Sequence, residues 1–210
     1  MAVVSTDRDS YLYIDPQNNL QFNLAGYDKL THAGIMGMDT LKNTLENMYD
    51  ITIDYYSKVN FSGVPQIIDA IGGITVNSEC AFTTGKDAAP ETYTFEEGYN
   101  ECDGDKALAF CRERHAFSDS STRSRNQIKV VQAVVDKLMS KEVLFDYDKL
   151  IDTFSNMMLT DMTRETMMVL IKGQFNNLDE WNCETYYVGG VTSTRNLQIK
   201  GLVNCSVIIP

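Results

Sequence analysis

Four of the chain's seven arginines, Arg112, Arg114, Arg123 and Arg125, fall within fourteen residues of a protein whose formal net charge is −11. A guanidinium stays charged at any relevant pH, and its planar fork matches phosphate or carboxylate with two parallel hydrogen bonds. Gathering such groups in an acidic chain builds a local anion site; the plainer alternative is a solvated helix face carrying surface charge. Arg123 and Gln127 are four residues apart and share one face of a helix. In its first turns they add to free backbone N–H groups and to the positive end of the helix dipole. Arg112 and Arg114, two apart, point the same way if their segment is extended. A strand end and a helix start then present several donors to one phosphate or pyrophosphate. Arg8, in the loop Asp7-Arg8-Asp9, joins them if the first strand is adjacent.

The length of 210 residues allows one sizeable core or at most two small domains. Hydrophobic content of 43% and charged content of 22% fit a globular protein. The acidic balance excludes the broad basic face that nucleic acid requires, so an anionic ligand is recognised locally, in a pocket. No apolar run approaches a membrane span, and the first residues do not read as a signal peptide. The five cysteines contain no Cys-x-x-Cys pair, and with only His32 and His115 available a zinc site is not expected. Cys183 and Cys205 flank a strand–turn–strand segment, and Cys80 and Cys102 bracket a loop rich in Gly, Thr and Pro. Both spacings suit disulfides and hence an oxidising compartment; five reduced core cysteines are the alternative. Cys111 reads as a buried free thiol.

The elements that must position these groups follow from local pattern. Ala2-Val3-Val4 and Tyr11–Ile14 read as short strands around Thr6–Asp9. Gly37 to Met48 carries Leu41, Leu45 and Met48 at helical spacing. Ile51–Val59, β-branched and aromatic, predicts a strand. A helix capped by Ser62 and ended by Gly72-Gly73 leads into a strand at Ile74–Val76. This strand–helix–strand order gives an α/β layered domain. A short helix from Asp103 leads into Phe110–Arg114, and the longest helix covers about Ser121 to Lys141. Ile128, Val131, Val135 and Leu138 form its core stripe, widened by Val130 and Val134. Helices near Tyr147–Met158 and Thr163–Phe175 follow, then strands near Thr185–Val188 and Leu202–Ile209.

Read in order, these segments resemble the LytR-CpsA-Psr cell-envelope family. Val3 to Tyr11 is similar to its Ser-Ile-Pro-Arg-Asp-Thr strand and loop, and Lys29 to Gly34 to its Lys-Ile-Asn-x-Ala segment. Ile53 to Gly63 resembles Ile-Asp-Tyr-Tyr-x-x-Val-x-Phe-x-Gly, and Ile68 to Val76 the helix and strand after it. Asp103 to Arg114, with Arg123 and Gln127, resembles the Arg-x-Arg … Arg-x-x-Arg-Gln block. The motif-bearing core spans residues 3–140 of a single domain, 1–210, with further helices and strands over 145–210. The implied fold is α/β, a mixed sheet sandwiched by helices, without the family's first hairpin.

The resemblance implies an exported enzyme of Gram-positive cell-wall assembly, acting at the extracellular face of the membrane through an N-terminal anchor that lies outside this chain. Such enzymes move a teichoic acid or capsular polysaccharide from a polyprenyl-pyrophosphate carrier to peptidoglycan as a phosphodiester, releasing lipid monophosphate. Carried over position by position, Arg8, Arg112, Arg114, Arg123 and Gln127 bind the pyrophosphate. Arg125 and Lys29 are added as substrate-binding residues. Asp9 matches the motif carboxylate, which orients Arg8 or acts as base. Asp7 stands where the family has proline, Ser120 where it has an aspartate (Asp119 is displaced by one), and Asn126 where it has a second helix arginine. The hairpin bearing the family's Asp ligands for Mg²⁺ is missing, so Mg²⁺ is expected for the full-length protein, with no metal ligand assigned in this chain. Met157, Met158, Met162, Met167 and Met168 would suit an apolar tunnel for the carrier lipid, with ordinary core packing as the alternative. His115, His32, Trp181, Tyr186 and Tyr187 are weaker candidates for proton transfer or sugar stacking. Two rivals remain: a polyprenyl-phosphate-binding module without turnover, and a transcriptional regulator, which the acidic balance disfavours.

Overall fold

The computed structural model describes residues 2–16, 25–114, 122–138, 140, 147–176, 184–188, 190–197 and 202–209. Its backbone divides into two compact units, Ala2–Asp54 with Thr185–Pro210, and Tyr55–Glu184. The α/β class holds, and the strands among the described residues pair in six two-stranded ladders.

The unit holding the first residues runs β1 (Ala2–Thr6), β2 (Tyr11–Ile14), β3 (Gly26–Lys29), α1 (Leu30–Met36) and α2 (Met38–Tyr49). Antiparallel pairing sets Tyr11 opposite Lys29 and Ile14 opposite Gly26. Ile14 then packs with Leu30, Ala33 and Met36, and Leu41 and Leu45 of α2 close that core. Helix α2 stands where the periodicity puts it, whereas α1 is a helix that the sequence pattern did not signal. The segment read as a strand from Ile51 to Val59 is extended in sequence type but mostly lacks a partner. Only Ser57–Val59 pairs, and that strand belongs to the other unit.

The middle unit begins with that strand, β4 (Ser57–Val59), followed by α3 (Gly63–Ala70) and β5 (Ile74–Ser78). Ser62 makes no capping hydrogen bond. Asn60 does the work instead: its Oδ1 accepts the Gly63 N–H at 2.7 Å and the Ser62 hydroxyl at 2.9 Å. Gly72 and Gly73 end the helix at φ 79° and 83°, as their pairing in sequence foretold. The short β6 (Phe82–Thr83) and β7 (Thr94–Phe95) then pair, and β8 (Gly98–Cys102) returns antiparallel to β5. Next come α4 (Gly104–Arg112) and α5 (Thr122–Leu138), packed against each other. Ile68, Ile74, Val76, Phe95, Phe110 and Val130 lie in one core, with the Phe95 ring 5.0 Å from Phe110 and 4.9 Å from Phe82.

Two expectations are corrected here. Arg112 is the last residue of α4 and Glu113 its C-cap, so the segment before Arg114 is helical rather than extended. Asp103 explains this: its side chain caps the helix at the Lys106 N–H, 2.9 Å, and Ala-Leu-Ala-Phe-Cys continues it without a breaker. In α5 the buried stripe is Thr122, Asn126, Val130 and Ala133, with Ile128 beside it, and Val131 is half exposed. The buried asparagine turns the helix by its hydrogen bond to the Phe110 carbonyl, 3.1 Å.

The helices Tyr147–Met157 and Arg164–Asn176 match expectation, and β9 (Met158–Thr160) pairs with β4. The chain closes with the expected strands β10 (Glu184–Val188), paired to β1, and β12 (Leu202–Ile209), the latter paired antiparallel with β11 (Val191–Leu197).

The Cys80–Cys102 disulfide does not form; both thiols are free, as is Cys111. In the β5–β8 ladder Cys102 lies opposite Ile74, whereas Cys80 follows Ser78, which pairs at the far end with Gly98. A bridge needs Cα atoms within about 7 Å, and the ladder holds these two at opposite ends. Cys183 lies outside the described residues, so the Cys183–Cys205 pairing does as well. Burial pushes the Cys102 thiol up to about 11 and the Cys111 thiol up to about 12. Both therefore stay protonated and shielded at ordinary pH. Mass mapping after native alkylation at pH 8 should find Cys80 modified far faster than Cys102 or Cys111, and equal labelling would contradict their burial.

Candidate functional site: a cationic helix junction and a tied arginine loop

In the middle unit, the bond from Asn126 to Phe110 sets the last turn of α4 beside the first turns of α5. Arg112 and Arg114 therefore sit at the same end of this helix pair as Arg123 and Gln127. Arg112 is exposed, and its Nη2 donates to the Asp87 carbonyl at 3.3 Å while the guanidinium lies 5.8 Å from the Phe61 ring centre. Between the two arginines Glu113 is buried, 2% exposed. Its Oε2 accepts the Gly85 N–H and its Oε1 the Arg114 N–H, both at 2.8 Å. This carboxylate fixes the chain at the turn out of α4, so the flanking guanidiniums leave from a rigid base. Arg125 is directed elsewhere: its Nε is 3.7 Å from Glu79, which also pairs with Lys129 at 2.9 Å, and its Nη2 reaches the Thr122 hydroxyl at 3.4 Å. Arg123 and Gln127 flank the buried stripe of α5, both partly exposed. His115, Asp119 and Ser120 lie outside the described residues.

In the other unit, Asp7, Arg8 and Asp9 form the turn between β1 and β2. Asp7, standing where the family has proline, closes it: its Oδ1 accepts the Asp9 N–H at 2.8 Å and its carbonyl the Ser10 N–H at 3.0 Å. The carboxylate thus does locally what a rigid ring would do. The start of α1 is stitched to the same turn, with the Thr31 N–H on the Arg8 carbonyl and the Leu30 N–H on the Ser10 carbonyl, each 2.9 Å. Lys29 Nζ sits 3.0 Å from Asp9, and the Arg8 side chain is exposed. Behind this turn, fully buried Asp28 meets His32 Nδ1 at 2.6 Å.

Chemically, the helix junction offers charge-assisted donors at a helix N-terminus, which suits phosphoryl oxygens. The residues that sequence reasoning missed are the supports: Glu113, Asn126, and the link from Asp28 to His32. Only the last had a readable signal, an acid and a histidine four apart across a helix start. Among the described residues no group of three or more His, Cys, Asp or Glu could hold a metal ion, and no helix is long and apolar enough to cross a membrane.

Comparison with known proteins gives this arrangement its context. The model of the LytR_cpsA_psr family matches residues 1–203. The polyisoprenyl-teichoic acid--peptidoglycan teichoic acid transferase TagU of Oceanobacillus iheyensis is 29% identical over 209 residues, 96% of this chain and 57% of that protein. The corresponding transferase TagT of Bacillus subtilis is 32% identical over 154 residues, 72% of this chain and 45% of its own length. The chain thus spans about half the length of the curated relatives it matches. A crystal structure of a protein described as a transcriptional regulator from Enterococcus faecalis superposes with a TM-score of 0.77 at 28% identity, covering 99% of this chain and 70% of that one.

Proposed function

The chain belongs to the LytR_cpsA_psr family, and on that premise we propose that it is the phosphotransferase part of a cell-wall glycopolymer ligase. Its substrate is a teichoic acid or capsular polymer on a polyprenyl-pyrophosphate carrier, and its acceptor is peptidoglycan. The observation that carries the reading is the α4–α5 junction, where an acidic chain with kinship to teichoic acid transferases concentrates Arg112, Arg114, Arg123 and Gln127.

In this reading the acceptor hydroxyl attacks the glycan-side phosphorus, the bond to the bridging oxygen breaks, and polyprenyl monophosphate leaves with the electron pair. The guanidiniums offset charge growing on the phosphoryl oxygens, a stabilisation that needs no reorganisation because Glu113 and Asn126 hold their backbone in place. Arg8 is assigned a phosphoryl-binding role by its motif position, and Lys29 is assigned a substrate-binding role while also pairing with Asp9. Mg²⁺ is proposed for the longer protein, as are the membrane anchor and the extracellular location; the described residues offer it no ligand cluster, so no step here runs through it.

The test is reconstitution of the full natural protein with a polyprenyl-pyrophosphate-linked teichoic acid precursor, Mg²⁺ and isolated peptidoglycan. Polymer attached to peptidoglycan and polyprenyl monophosphate released in equal amounts is the expected result. Tight lipid binding with no release would replace the enzyme by a lipid-binding module.

A further inference from the structure

Two neutral groups hold the Arg112 guanidinium. On one side its Cζ lies 5.8 Å from the centre of the Phe61 ring, within the distance of about 6 Å at which the electron-rich face attracts a cation. On the other, Nη2 donates to the Asp87 carbonyl at 3.3 Å. Arg125 shows the contrary arrangement, with its Nε 3.7 Å from the Glu79 carboxylate. A carboxylate orients a guanidinium but offsets its charge. A ring and a carbonyl orient it and leave the whole positive charge for an incoming anion.

Both sides of this grip are anchored within the one compact unit, Tyr55–Glu184. Phe61 sits in the turn from β4 into α3, which Asn60 closes by accepting the Gly63 N–H on Oδ1 at 2.7 Å and on its carbonyl at 3.1 Å. Gly63 is packed closely enough that an added Cβ would lie 3.0 Å from the Met157 carbonyl oxygen. The Asp87 side is a turn closed by the Ala88 N–H on the Gly85 carbonyl at 3.0 Å, with Ala88 buried. Glu113, the residue after Arg112, accepts the Gly85 N–H and so ties the same turn to the end of α4. The Phe61 ring itself is 57% exposed, so it adds little to the core, and its most specific contact is the guanidinium.

Resting on the phosphotransferase reading, we infer that Phe61 is a positioning residue for transfer: its ring, with the Asp87 carbonyl, keeps Arg112 in the orientation in which it meets phosphoryl oxygens. Without the ring the long side chain regains its rotamers, and each productive encounter has to order it again. Phe61 acts through Arg112 alone and makes no contact with the reacting atoms.

The experiment uses the full natural protein with the reconstituted teichoic acid precursor and peptidoglycan, and reads released polyprenyl monophosphate. Phe61→Leu keeps an apolar side chain and removes the aromatic face. It should lower turnover about five- to thirtyfold, the upper part of the cation–π range, because bound precursor excludes water from the ring. Its melting temperature should stay close to that of the wild type. Phe61→Tyr and Phe61→Trp restore the face and should stay within about twofold of wild-type turnover, a rescue that simple apolar cover would not need. Introduced into Arg112→Ala, Phe61→Leu should cost nothing further, since the ring then has no cation to hold. Wild-type turnover in Phe61→Leu, losses in Phe61→Tyr and Phe61→Trp as large as in Phe61→Leu, or an undiminished loss in the Arg112→Ala background each overturns the assignment and leaves the phosphotransferase reading standing. Absence of transfer by the wild-type protein overturns that reading and this assignment with it.

Discussion

Arg112→Ala and Arg123→Ala should each lower transfer at least about 10³-fold while leaving the melting temperature nearly unchanged. Removing one preorganised donor from a developing oxyanion typically costs about 10²- to 10³-fold in turnover, and a guanidinium supplies two donors plus a charge. The structure separates this loss from stability. Arg112 is exposed, with one long hydrogen bond to the Asp87 carbonyl at 3.3 Å and a loose contact with the Phe61 ring. Contacts of this kind contribute on the order of 0.5–1 kcal/mol at a surface. Arg123 is in the first turn of α5, where alanine is at least as good a helix former. Lysine at either position should recover little, since a point charge does not reproduce the planar fork. Arg125→Ala is the internal contrast: its guanidinium is already engaged by Glu79 and Thr122, so its loss should cost under about tenfold, well below a single preorganised donor. Released polyprenyl monophosphate and thermal melts measure both quantities, and wild-type release by Arg112→Ala and Arg123→Ala would remove the helix junction from the chemistry.

How far the sequence revealed these positions depended on where each decision was made. Decisions taken within a few residues were legible. The Gly72-Gly73 terminus, the strand after it and the placement of Arg123 and Gln127 in the first turns of a long helix all followed from local pattern. Decisions taken across the chain were not. Ile51 to Tyr56 has strand composition, yet a strand exists only where a partner lies, and the partner of Ser57–Val59 is Met158–Thr160, a hundred residues on. The stripe of α5 was misplaced because Asn126 looks polar, and only the Phe110 carbonyl, sixteen residues away, makes its burial favourable. Arg112 and Arg114 share a direction only if their segment is extended, whereas the cap at Asp103 commits the chain to a helix as far as Arg112. Cysteine spacing misled for the same reason: bracketing a loop in sequence says nothing of which end of a ladder each residue occupies.

Gly104→Ala should be the most destabilising single methyl addition in the middle unit, by about 3 kcal/mol, the upper part of the overpacking range. Gly104 opens α4 and is buried where α4 crosses α3, and its N–H donates to Asp69 Oδ1 at 2.7 Å. A Cβ at this position would overlap the carbonyl oxygen and Cα of Pro65. Those are backbone atoms of α3, so no rotamer change can relieve the contact; the two helices must separate. Separation would also weaken the hydrogen bond to Asp69 and loosen the core around Ile68 and Phe110. For a chain of this length such a loss lowers the melting temperature by roughly 6–12 °C. Because α4 carries Arg112 at its far end, transfer should fall too, through misplacement rather than lost charge. Gly173→Ala is the matched control, since it lies inside the helix Arg164–Asn176 with nothing within 4 Å of the added methyl. It should be neutral or stabilising by up to about 1 kcal/mol, as expected for glycine replaced by alanine within a helix. Equal melting temperatures for the two variants would mean that α3 and α4 do not approach at Gly104.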